Sequence, residues 1–79
     1  MTFSSCAFVT GAGSGIGEAA ARRLASDGFA VAVVDVRQDA AARVAEEILS
    51  VGGRAISVVA DVRDEASVAK GIAQTVEAF

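Results

Sequence analysis

Residues 10–17 read TGAGSGIG, from Thr10 to Gly17. Four glycines, Gly11, Gly13, Gly15 and Gly17, alternate there with small or apolar residues. The cluster directly follows the apolar run CAFVT (6–10) and directly precedes an alanine-rich stretch. That is the pattern of a buried strand turning sharply into a helix. A helix that starts on glycines presents free backbone N–H groups and a partial positive charge, which suit a phosphate. Glycine also lets an anion approach the backbone with no Cβ in the way. A tight turn with close helix–strand packing and no ligand is the plainer reading of the same residues.

Outward from the loop, short strand-like and longer helix-like segments alternate. Residues 30–36 (AVAVVDV) and 55–60 (AISVVA) repeat the character of residues 6–10. None of the three alternates cleanly between apolar and polar, as expected of strands buried on both faces. Between the first two, Ile16, Ala20 and Leu24 recur every four residues and Gly28 follows as a stop. In the second helical segment Ala41, Val44, Ala45, Ile48 and Leu49 make an apolar stripe. Asp39, Arg43 and Glu47 are spaced there for i,i+4 ion pairs, and Gly52 and Gly53 end the segment. In the third, Asp64 is the expected N-cap and Val68, Ile72, Val76 and Phe79 the stripe. The order β-α-β-α-β-α, with connections this short, requires parallel strands and right-handed crossovers. It is one half of a doubly wound α/β sheet. With no fourth strand beside it, the first strand is expected to be an exposed apolar edge.

The chain has 79 residues, one domain at most and small for an enzyme. A hydrophobic fraction of 53% is enough to build a core. A net charge of -3 with no basic run argues against a nucleic-acid or anionic-membrane surface. The apolar runs are too short to span a bilayer, and MTFSSC lacks the features of a signal peptide. A single cysteine, Cys6, cannot form an internal disulfide and is expected to be a small buried apolar residue. These features make the cytoplasm the expected location. There is no histidine, so the usual transition-metal sites and Ser-His or Cys-His pairs are excluded within these residues. Lys70 and Glu77 read as a solvated helix face.

Spacing decides what kind of glycine loop this is. The GxGxxG fingerprint needs glycine or alanine in its last place, which would be Ile16 or Glu18 here. A P-loop needs Gly-Lys-Ser/Thr, and no lysine precedes Lys70. Thr10, Gly11, Gly15 and Gly17 fit TGxxxGxG instead. With that spacing, AFVTGAGSGIG resembles the opening of the short-chain dehydrogenase/reductase family. The resemblance spans nearly all of the chain.

It implies a Rossmann-type parallel sheet, first half only, with strand order 3-2-1, and it makes residues 1–79 the N-terminal half of a dinucleotide-binding domain, cut short. It implies a nicotinamide dinucleotide on Gly11, Ser14, Gly15, Ile16 and Gly17, with Ile16 near the pyrophosphate and nicotinamide ribose. Asp35 ends the second strand, where an acid accepts from the adenosine ribose hydroxyls and repels a 2′-phosphate. NAD is therefore expected in preference to NADP, and Ser14, where NADP-preferring members often carry a basic residue, agrees. Arg37 has three readings: pairing with a 2′-phosphate, stacking on adenine, or lying in solvent. By the resemblance Asp61 and Val62 contact the adenine; on spacing alone Asp61 is an Asx-type turn.

The family continues into an Asn-Asn-Ala-Gly strand end, a serine and a Tyr-x-x-x-Lys pair. This chain has no tyrosine. The expectation is thus the cofactor half of an oxidoreductase acting on an alcohol or ketone, inactive by itself. Substrate binding and any homo-oligomer would belong to the full-length protein. The competing expectations are a complete, non-catalytic nucleotide-binding module that completes its sheet with a partner, or a fragment that does not fold stably.

Overall fold

The computed structural model describes residues 5–79. The N-terminal stretch read above for a leader lies largely outside them. Six elements alternate in the expected order: β1 (Cys6–Thr10), α1 (Gly15–Ser26), β2 (Ala30–Asp35), α2 (Gln38–Ser50), β3 (Arg54–Val59) and α3 (Glu65–Ala78). The strands form one parallel sheet in the order β1-β2-β3, which is the expected 3-2-1 order seen from its other edge. Phe8 pairs with Ala32 and Ala32 with Ile56, so residues in register share a face.

β2 is the middle strand, and all six of its residues are buried. This is why its sequence runs apolar without alternation. Because the strand order advances steadily, both right-handed crossovers place their helices on one face. There Ala21, Ala41, Val44, Ala45 and Ile48 pack on Val31, Val33 and Ala55. On the opposite face Ala32, Val34, Val58 and Ala60 form a smaller cluster with Phe8 and Ile56. α3 lies over it, with Gly71 against Val58 and Phe8.

Three packing expectations need correction. In α1 the inward side is Ala21 with Leu24 and Ala25; Ala20 is exposed and Ile16 is 90% exposed. Contact of Gly17 with the backbone of Gly11 sets that rotation. In α2 the stripe is buried as expected except for Leu49, which is exposed. In α3 Ile72 and Val76 are exposed, and Gly71 and Thr75 are buried instead. Gly71 lets the helix lie close to the sheet, and the Thr75 hydroxyl satisfies itself by donating to the Gly71 carbonyl at 2.8 Å. Asp64 does cap α3, accepting from the N–H groups of Ala66 and Ser67. Cys6 is exposed rather than buried. It starts an edge strand that is bonded, among the described residues, only on its β2 side. No helix of the described residues is long and apolar enough to cross a membrane.

Candidate functional site

All three strands run the same way, so the glycine loop, Asp35–Arg37 and Asp61–Val62 gather at the carboxyl end of the sheet. The glycine loop leaves β1 and reaches across to β2, where the Ala12 N–H donates to the Val34 carbonyl at 2.9 Å. Gly11 and Gly15 adopt φ of +63° and +60°, a region that L side chains resist. A Cβ at either position would meet open space. The demand for glycine at these two places is conformational, and the surface they leave is free of side chains. Ser14 occupies the N-cap of α1, but its side chain makes no capping bond. The Ser14 hydroxyl instead accepts from Arg37 Nη2 at 3.1 Å.

Asp35 closes the site from the β2 side. It is 6% exposed, and its carboxylate is held on both oxygens. The Gly13 N–H donates to Oδ2 at 3.0 Å. The Arg37 N–H donates to Oδ1 at 3.0 Å, and Arg37 Nε approaches the same oxygen at 3.4 Å. The Arg37 backbone N–H above all, assisted by Gly13 and the Arg37 guanidinium, keeps the Asp35 carboxyl below its ordinary range although burial opposes this. A lowered value means that the fold favours the carboxylate. The stabilisation it confers is present above the ordinary carboxylate range and is lost as pH falls through the lowered value. Urea midpoints should therefore be flat from neutral pH down to about 5 and fall below about 4. The acid limb of Asp35→Asn should be shallower; an identical limb would show that Asp35 contributes nothing to acid lability.

Asp61 sits just past the end of β3 beside Asp35, whose carbonyl accepts from the Ala60 N–H at 3.2 Å. The Asp61 carboxylate receives the Arg63 N–H at 3.0 Å, which is the Asx turn expected from spacing alone. Arg63 also forks onto both of its oxygens at 3.1 and 3.0 Å. The Arg63 guanidinium first, then its backbone N–H, holds the Asp61 carboxyl below the usual range. Val62 and Ile16 are both exposed.

The structure thus joins Gly13, Ser14, Asp35 and Arg37 directly by hydrogen bonds, and sets Gly11, Gly15, Gly17, Asp61 and Val62 alongside at the same end of the sheet. It selects none of the three readings of Arg37: the side chain folds back between Asp35 and Ser14. The sequence reading gave no site role to Gly13, Arg43 or Arg63, although it did pair Arg43 with Glu47, as the structure has it. Gly13 was passed over because the TGxxxGxG spacing leaves it in a free position. No signal in the sequence links Arg43 to the loop, thirty residues away; Arg63 follows Asp61 at the i+2 spacing of an Asx turn.

A three-stranded parallel sheet flanked by helices, with a glycine-rich strand-to-helix turn and a buried acid at the next strand end, defines a Rossmann-type nucleotide-binding unit. The family model described as short chain dehydrogenase matches residues 5–79, and the chain belongs to that family. It is 47% identical over 81 residues to the short-chain dehydrogenase/reductase eriH of Hericium erinaceus, covering 98% of this chain and 32% of that protein. It is 50% identical over 76 residues to the short-chain reductase protein NovJ of Streptomyces niveus, covering 95% and 29%. The crystal structure of a short-chain dehydrogenase/reductase from Burkholderia phymatum in complex with NAD superposes with a TM-score of 0.92 at 37% identity. It covers 96% of this chain and 27% of the other. The chain therefore spans about a third of the length of the curated relatives it matches.

Proposed function

We propose that this chain is the cofactor-holding part of an NAD-dependent oxidoreductase that interconverts an alcohol and a ketone, working in the cytoplasm. One observation carries the reading. The acid at the end of β2 and the glycine-lined start of α1 are joined by the bond from Gly13 N–H to Asp35, which makes them two walls of a single site. The residues suit a dinucleotide: Gly11 and Gly15 leave bare backbone for a pyrophosphate, and α1 meets it with its N-terminus. Asp35 faces the ribose, and Asp61 and Val62 take the adenine. Gly17 holds α1 against the loop, and Ile16 covers the approach to the nicotinamide ribose.

A bound nicotinamide dinucleotide supplies the hydride acceptor or donor. The residues of this chain bind and orient it. Two ribose hydroxyls need two acceptor positions on Asp35, so the long 3.4 Å approach of Arg37 Nε is the contact that gives way. None of these residues is a tyrosine, and their part is to bind and orient the cofactor. Arg37 stays beside the Asp35 carboxylate, so the two together present no net positive charge to a 2′-phosphate. NADH should bind at least about tenfold tighter than NADPH in a fluorescence titration, because Asp35 repels the extra phosphate. Tighter NADPH binding would mean that Arg37, once released, outweighs Asp35. Absence of binding to either dinucleotide would overturn the proposal.

A further inference from the structure

Four charged side chains of α1 and α2 close a ring beneath the glycine loop. Glu18 pairs with Arg22 at 2.8 Å and with Arg43 at 3.0 Å. Glu47 pairs with Arg22 and, at 3.4 Å, with Arg43. Exposed ion pairs of this kind contribute little to stability. One member does something further: Arg43 Nη2 also donates to the carbonyl of Gly13 at 3.0 Å.

Gly13 is thereby gripped on both sides. Its N–H is held by Asp35 and its carbonyl by Arg43. In a trans peptide the carbonyl and the following N–H point in opposite directions. Fixing the Gly13 carbonyl toward α2 therefore fixes the Ser14 N–H on the opposite edge of the peptide, away from α2. The Ser14 N–H is the backbone donor immediately before the first turn of α1. The ring has a second consequence. Glu18 sits in that first turn, where its negative charge would oppose a bound anion, and with both Arg22 and Arg43 on it either arginine alone offsets that charge.

We propose that Arg43 is a positioning residue for the dinucleotide pyrophosphate, acting through the Gly13–Ser14 peptide that it anchors from α2. This rests on the dinucleotide reading given above. Arg43 need not touch the cofactor; its effect is on the orientation of the loop.

The test is a titration of the full-length protein with NADH, ADP and adenosine. Arg43→Met is compared with Arg22→Met. Both variants remove one positive charge from the same ring, but only the first removes the bond to Gly13. Arg43→Met should weaken NADH and ADP about tenfold and leave adenosine, which has no phosphate, unchanged. Arg22→Met should stay within about twofold of wild type for all three. Arg43→Lys, which keeps the charge and one donor, should recover part of the loss and keeps the test open if Arg43→Met is poorly folded. Equal losses in Arg43→Met and Arg22→Met would overturn the proposal in favour of ring charge alone. Unchanged NADH affinity in Arg43→Met, or an equal loss of adenosine, would overturn it outright. Wild-type protein that binds none of the three probes would bring down the nucleotide reading and this role together; tight wild-type binding with an indifferent Arg43 would bring down this role only.

Discussion

Gly17→Ala is expected to be the most damaging single substitution in the chain. A Cβ built on Gly17 lies 2.2 Å from the Gly11 carbonyl oxygen, 2.7 Å from its carbonyl carbon and 3.2 Å from the Ala12 Cα. All three are backbone atoms, so no rotamer change relieves the overlap. Either α1 moves off the sheet or the loop moves off β1. The first separates Ala21 from the core; the second breaks the bond from Ala12 N–H to the Val34 carbonyl. Forced overpacking of this kind costs about 3 kcal/mol. Gly15→Ala is the internal comparison. Its Cβ would meet no atom within 4 Å, and only the positive φ resists it, at a cost of about 1 kcal/mol. Urea midpoints of the two variants measured side by side decide the matter. Equal stability would mean that α1 does not dock as described.

Asp35→Ala carries the second large effect, and this one falls on binding. The substitution removes the acceptor of the Gly13 N–H, the partner of Arg37 and the proposed ribose contact together. Hydrogen bonds to a charged group are worth about 1.5 to 3 kcal/mol each, so losing the ribose pair should weaken NADH about a hundredfold. The preference for NADH over NADPH should vanish as well, because Arg37 is released and the repelling charge is gone. Asp35→Asn keeps the shape and one acceptor oxygen, so it should fall between wild type and Asp35→Ala. Stability should drop by about 1 to 3 kcal/mol as the buried Gly13 N–H loses its partner. Unaltered NADH affinity in Asp35→Ala would remove Asp35 from the site.

The element order, the parallel sheet and its strand order could all be read from the sequence, because buried central strands leave continuous apolar runs and the glycine loop marks the start of α1. Rotations of the helices were harder to read. A spacing of four residues from Ile16 passes through Ala20 and Leu24, yet α1 turns Ala21 inward, because the contact of Gly17 with Gly11 outranks the branched side chain of Ile16. In α3 the same error arises from treating Gly71 and Thr75 as non-core residues, when small size is what the close approach to Val58 requires. Cys6 is apolar in character but begins an edge strand, and position in the sheet decided its exposure. Around the site, Asp35 could be found from its distance to the glycines. Arg37 could be found from its place beside Asp35, and the Arg43–Glu47 pair from its i,i+4 spacing, but the bonds from Arg37 to Ser14 and from Arg43 to Gly13 depend on how α2 approaches the loop, which leaves no periodic trace.

The two faces of the sheet are not equally filled. Among the described residues the apolar cluster on the α1–α2 face has nine buried members and the one under α3 has four. Cooperative unfolding units follow buried apolar contact, so the first β-α-β-α stretch should behave as one slow-exchanging block and α3 as a separate, faster-opening one. The glycine loop and Asp35 belong to the slow block, whereas Asp61 hangs on the junction with α3, tied to it by the bond from its N–H to the Ser67 hydroxyl. A ligand lying across the carboxyl end would therefore meet a rigid seat at one end and a compliant one at the other. Ordering the compliant end on binding would slow amide exchange in α3, with the main chain of the glycine loop unmoved.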